Sequence, residues 1–304
     1  MDNNINNILA QINRYVLGKE KQVKLALACM LAKGHLLLED LPGMGKTTLA
    51  HTLADTLGLS YQRVQFTSDM LPADITGINV FDNQKQAFSL HKGPIFNQLI
   101  LADEINRASP KTQSALLESM EEGQVSIDGK TYTLPDPFFV IATQNPQHHL
   151  GTYPLPESQM DRFTMRLSLG FPTKDAEKMI LNGQNKRVQH QALPPQIDAE
   201  QLLSLQALVR EVTVSDSLLD YVIALGSATR EQSKFNALSP RALQALVASS
   251  KAWAFIHGRD YALPEDVQAV FVPVCQHRMD SQSLGEHEQS YALQVLKSVD
   301  PSAS

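Results

Sequence analysis

Two glycines, a lysine and two hydroxyls stand together in Leu41-Pro42-Gly43-Met44-Gly45-Lys46-Thr47-Thr48. Glycines let backbone N–H groups close around an anion, a lysine reaches the outer phosphate oxygens, and a hydroxyl suits Mg²⁺. The chemistry implied is capture of a nucleoside triphosphate together with its metal. The general spacing G-x-x-x-x-G-K-[ST] opens on glycine, whereas here Asp40 holds that place. A chance glycine-rich turn is the bland alternative.

Further along, Leu99-Ile100-Leu101-Ala102 runs into Asp103 and Glu104. Neighbouring side chains at a strand tip diverge. One carboxylate can therefore hold the metal's hydration shell while the other reaches the water that attacks the outer phosphate. Asp103 takes the first role and Glu104 the second. Two exposed acids at a strand exit would look the same in isolation. The run Phe138–Ala142 leads to Thr143-Gln144-Asn145-Pro146. There the neutral amide of Asn145 can orient water and sense the phosphate without competing for a proton, unless it only initiates an Asn-Pro turn. Arg162, in Asp161-Arg162-Phe163, is a candidate for offsetting charge on a neighbouring subunit's phosphoryl group, or a surface arginine beside an acid. Arg241 follows Ser239-Pro240 in a helix first turn, where the macrodipole disfavours a cation. An anion is expected beside it, either ATP or a local acid.

These residues need a frame. Apolar bursts at Leu36–Leu38, Val64–Phe66, Leu99–Ala102, Phe138–Ala142 and Phe163–Leu169 alternate with helical or turn-rich sequence, which predicts a mostly parallel five-stranded sheet with helices on both faces. Ligands of such sheets lie beyond the carboxyl ends of the strands, where all these motifs fall. Two β-hairpins are expected as insertions, Gly77–Phe81 with Ala87–Leu90 and Val125–Ile127 with Thr131–Leu134, either as working parts or as surface decoration. After Gly170-Phe171 the texture becomes helical. The predicted division is an α/β nucleotide-binding domain at 1–171 and a smaller all-helical domain at 172–304. Ser239 with Pro240, and Pro264 with Glu265 and Asp266, mark helix starts.

Of 304 residues, 43% are hydrophobic and 19% charged, an ordinary globular balance, and the net charge of −6 argues against nucleic acid or an anionic membrane as the general partner. Cys29 and Cys275 lack the spacing of a disulfide framework or zinc cluster. Neither a signal peptide nor a membrane-spanning run is legible, so a soluble cytoplasmic protein is expected, with no membrane insertion.

The run Leu101-Ala102-Asp103-Glu104-Ile105-Asn106-Arg107-Ala108-Ser109-Pro110 continuing to Glu122, and the run Gly151–Phe163, closely resemble signatures of the MoxR family of AAA+ ATPases. The resemblance covers about residues 5–280. It implies an AAA+ P-loop core followed by a helical lid, ATP and Mg²⁺ as cofactors, and a ring homo-oligomer, commonly a hexamer, with ATP at its subunit interfaces. It makes Arg162 the arginine finger and Arg241 the sensor 2 residue, and sets Val16, Leu17 and Gly18 beside the adenine. The hairpin around Gly77–His91 becomes the insert in the second helix that marks the clade. Asp40 is common in the family. Where the family often has acids after Asn145-Pro146, this chain has Gln147-His148-His149-Leu150; the adjacent histidines are read as loop residues, not metal ligands. The function implied is ATP-driven remodelling or activation of a partner protein, with von Willebrand factor A domain proteins as candidate clients. A nucleic-acid-dependent motor of the same clade, a subunit like that of magnesium chelatase, and a nucleotide-gated scaffold are the alternatives.

Overall fold

The computed structural model describes residues 2–84, 86–145, 151–182, 193–231, 233–280 and 290–301. The chain opens with α1 (Asp2–Asn13) and α2 (Glu20–Leu31), then β1 (Leu36–Glu39), α3 (Lys46–Thr56) and β2 (Tyr61–Gln65). A short α4 (Pro72–Thr76) leads into the hairpin β3 (Gly77–Asp82) and β4 (Ala87–Lys92). Next come β5 (Leu99–Asp103), α5 (Pro110–Glu122), the hairpin β6 (Gln124–Ile127) and β7 (Lys130–Thr133), β8 (Phe139–Gln144), α6 (Glu157–Met160) and β9 (Met165–Leu167). The rest of the described chain is helical: α7 (Lys174–Leu181), α8 (Ala199–Arg210), α9 (Asp216–Arg230), α10 (Pro240–Ile256), α11 (Pro264–Met279) and α12 (Tyr291–Ser298).

Five strands form one parallel sheet in the order β2-β5-β8-β1-β9. The expected five-stranded sheet and both hairpins are present. In β1 and β5 every residue is buried, which is why they read as unbroken apolar runs. Strand alternation divides their side chains between two cores. Leu36, Leu38, Leu99 and Leu101 face one, with α1 to α3 and the C-terminal helices, while Leu37, Ile100 and Ala102 face the other, with α5 and the hairpin residues Val125 and Ile127. The first core runs on into the helical part through Leu202, Leu246 and Phe271, so the helices are seated on the sheet's α2 side by apolar burial.

Two strands differ from expectation at the sheet margins. β2 begins at Tyr61, three residues before the apolar burst, because an edge strand, paired along one side, accommodates exposed polar residues such as Gln62 and Arg63. β9 spans only Met165–Leu167, and Phe163 is buried from a turn preceding it. The helix starts follow their signals: Ser239 Oγ accepts from the Ala242 N–H at 3.2 Å, and Asp266 Oδ2 accepts from the Leu263 N–H at 2.8 Å.

His35, just before β1, is buried with its ring against Phe139. Its Nε2–H donates to the Met120 carbonyl at 3.2 Å, and its Nδ1 accepts from the Val140 N–H at 3.0 Å, which fixes the neutral form. Burial lowers its pKa to about 4, and a proton on Nδ1 would set donor against donor. The unfolded chain takes up this proton near pH 6.5, so between about 6.5 and 4 it binds more protons than the fold. Stability is therefore present above that window and drains away as pH falls through it. The urea midpoint should drop across this range, with a His35 contribution of about 1.4 kcal/mol per pH unit. A midpoint that is flat from pH 6.5 to 4.5 would exclude this account.

Candidate functional site

Because β1, β5 and β8 run parallel, the segments leaving their carboxyl ends converge at one edge of the sheet. They enclose a cavity of about 360 Å³ lined by residues Pro42 to Thr48, Arg63, Gln65, Asp103, Glu104, Thr143, Gln144 and Asn145. A larger cavity of about 680 Å³ between α2, α9 and α10 is mostly apolar and has neither a glycine loop nor a carboxylate in its lining. The smaller one carries the chemistry.

The loop owes its shape to its glycines. Gly43 and Gly45 have φ of 85° and 94°, and an added Cβ would meet nothing within 4 Å at either. Backbone conformation, not crowding, requires them. Gly45 ends in this left-handed state at the start of α3, whose first-turn N–H groups are without intrahelical partners. Lys46 Nζ donates to the carbonyls of Asp40 at 2.6 Å and Leu41 at 3.1 Å, closing the loop on itself. Burial lowers the Lys46 pKa from its ordinary value, while Asp40, Asp103 and Glu104 pull it up. Leu41 contributes this carbonyl but does not line the cavity.

Asp40 is an anchor. Its carboxylate accepts from the N–H groups of Leu169 at 2.7 Å and Gly170 at 3.0 Å and from the Ser168 hydroxyl at 2.7 Å. The residue that breaks the general loop pattern thus ties the loop's entry to the chain leaving β9.

The two acids diverge as expected. Thr143, on β8, donates its hydroxyl to Asp103 Oδ1 at 2.6 Å and accepts the Glu104 N–H at 2.9 Å. Glu104 adopts a left-handed conformation at φ 55°, uncommon for a residue with a side chain. Its Oε2 takes Gln65 Nε2 at 2.9 Å and Arg107 Nε at 2.9 Å. Arg63 Nε and Nη2 reach Asp103 Oδ2 at 3.1 and 2.5 Å. Arg63, Gln65, Arg107 and Thr143 were not singled out from sequence. The first two carry a signal there, polar side chains at alternate positions of a strand next to the acid-bearing one, in register Arg63 to Leu101 and Gln65 to Asp103.

Asn145 lies one residue beyond β8 and lines the cavity. His148 and His149 lie outside the described residues. Arg162 and Arg241 line no part of the cavity. They meet each other's partner instead: Arg162 Nη2 and Arg241 Nη1 lie 3.2 and 2.9 Å from the two oxygens of Glu121, and Asp161 pairs with Arg241 at 4.0 Å and Arg278 at 2.6 Å. The local acid expected beside Arg241 is present. Val16, Leu17 and Gly18 also stand apart from the cavity lining; Val16 is core, and Gly18, at φ 67°, backs onto Thr173 and Ala176 at the start of α7.

Residues 35–165 match the family model described as ATPase family associated with various cellular activities (AAA), and residues 226–294 match that of the AAA lid domain. YeaC of Bacillus subtilis (strain 168) is 46% identical over 88% of this chain and 84% of its own length. Chaperone MoxR1 of Mycobacterium tuberculosis is 39% identical over 88% of this chain and 74% of its own. The chain belongs to the MoxR family of AAA+ ATPases. A crystal structure from Cytophaga hutchinsonii, 35% identical, superposes on this MoxR-family chain with a TM-score of 0.88, covering 98% of it and 95% of the other. The AAA+ sheet followed by a helical lid is therefore common to this MoxR-family chain and a solved relative. No helix among its described residues is long and apolar enough to cross a membrane.

Proposed function

We propose that this MoxR-family protein hydrolyses ATP to ADP and phosphate in a cytoplasmic ring homo-oligomer, a hexamer, and uses the turnover to remodel a client protein, of von Willebrand factor A type. What supports the catalytic part is one observation: the loop 42–48, Asp103, Glu104 and Asn145 border a single cavity. The lysine and loop amides hold the phosphates, Glu104 polarises the attacking water and Asn145 orients it. Thr47 and Asp103 offer hard oxygen to that cavity and would hold Mg²⁺, leaving its remaining positions to water and phosphate, as that ion prefers. Bound there, Mg²⁺ would neutralise charge developing on the phosphate oxygens. The chaperone role rests on likeness to the relative named chaperone MoxR1.

Arg162 and Arg241 act on the neighbour's ATP. What supports this reading is that both arginines share Glu121 at a surface separate from their own chain's cavity. The catalytic domain ends at residue 171, and Val16-Leu17-Gly18, whose glycine is backed by the start of α7, borders the adenine.

The test is Mg²⁺-dependent phosphate release from the wild type and from two variants. Lys46→Ala and Arg162→Ala should each be inactive alone. Mixed in equal amounts they should regain activity, since by random heterologous pairing roughly a quarter of the interfaces join an intact loop to an intact finger. No release from the wild type would remove the ATPase reading, and no recovery on mixing would remove the action across subunits.

A further inference from the structure

The Asp103 carboxylate, proposed to serve the metal, is already engaged by a cation. Arg63 reaches its Oδ2 through both Nε and Nη2, and Thr143 donates to its Oδ1. A carboxylate offers about two lone-pair positions on each oxygen. Oδ2 has both filled by the guanidinium, and Oδ1 has one filled by the hydroxyl, so a metal or its water meets one free position. Arg63 is not a packing residue: its side chain is 48% exposed, stands on the sheet's edge strand and lines the nucleotide cavity. Gln65 Oε1 accepts from the same Nη2 at 3.1 Å and steers the fork toward Asp103.

We infer that Arg63 is a positioning residue that holds Asp103 as an internal counter-ion until Mg²⁺ arrives, and that guanidinium and metal compete for the charge of this one carboxylate. The inference rests on the nucleotide reading above. Two consequences have opposite signs. Without metal, Arg63 offsets the negative charge that Asp103 would otherwise present to phosphates, so it favours binding of free nucleotide. With metal, it keeps the carboxylate's charge partly engaged and leaves the ion a single position, so it raises the Mg²⁺ concentration needed to load the site.

The experiment uses the full chain, a fluorescent ADP analogue and two media, one with EDTA and one titrated with Mg²⁺. Arg63→Gln should weaken metal-free ADP binding about tenfold and lower the half-saturating Mg²⁺ concentration about tenfold, the scale of a lost charge-assisted contact. Arg63→Lys, which keeps the charge but not the fork, should fall between. A damaged fold would weaken binding in both media together, a pattern the opposite-sign prediction does not allow. In the background of Asp103→Asn, where the shared carboxylate is gone, Arg63→Gln should lower the half-saturating Mg²⁺ concentration less than it does in the wild type. Mg²⁺ half-saturation within twofold of wild type for both Arg63 variants, with nucleotide still bound, would overturn the inference alone. Failure of the wild type to bind ADP in either medium would overturn the nucleotide reading beneath it.

Discussion

Replacing Glu104 with glutamine should leave nucleotide bound and slow phosphate release about a hundredfold to ten-thousandfold, the range that general acid–base groups contribute. Glutamine keeps the length and one acceptor oxygen, so the contacts from Gln65 and Arg107 at Oε2 survive rotation of the amide. The left-handed backbone at Glu104 is retained by the Thr143 hydroxyl, which holds its N–H. Only the capacity to take a proton from water is removed. Single-turnover phosphate release and equilibrium binding of ATP, measured side by side, separate the two effects. Turnover within about threefold of wild type would show that another group serves as base, since loss of a positioned base costs about a hundredfold or more.

Asp40→Gly restores the glycine of the general phosphate-loop pattern, yet it should weaken the protein. The buried carboxylate satisfies two backbone N–H groups and a hydroxyl on residues 168–170, and Leu169 is itself buried. At about 1 kcal/mol or more for each donor left unpaired, the cost is about 3 kcal/mol, with a further fraction from the chain entropy of glycine. Asp40→Asn, which keeps one acceptor oxygen, should lie between. Urea unfolding would show a lower midpoint at unchanged slope. A midpoint for Asp40→Gly equal to that of wild type would mean the anchoring contacts contribute nothing net.

Much of this was legible along the chain. Strands β1, β5 and β8 are buried on both faces, so physics forced them to be apolar runs, and the motifs at their ends came into one cavity once the strands paired. Hairpins were marked by their turn residues. What could not be read depends on register and on distance in sequence. Arg63 and Gln65 matter because β2 aligns Gln65 with Asp103, and nothing local to β2 says so. In sequence Thr143 reads as part of the approach to Asn145, although its hydroxyl joins the two acids. The partner of Arg241 lies 120 residues away on α5, a contact no helix rule supplies. Asp40 stands out in sequence as an oddity, but the groups it anchors lie in residues 168–170.

Among the described residues, Arg162, Arg241 and Arg278 form ion pairs with Glu121 and Asp161, three positive charges against two negative. Arg278 is fixed by carbonyls of Phe163 and Thr164 and is 5% exposed, whereas Arg162 and Arg241 rest on a carboxylate that water reaches. A pair of that kind contributes about 0–1 kcal/mol, close to the thermal energy of about 0.6 kcal/mol. The two arginines are therefore parked, and any stronger anion presented to that face can re-aim them without unseating the apolar contact that holds the lid.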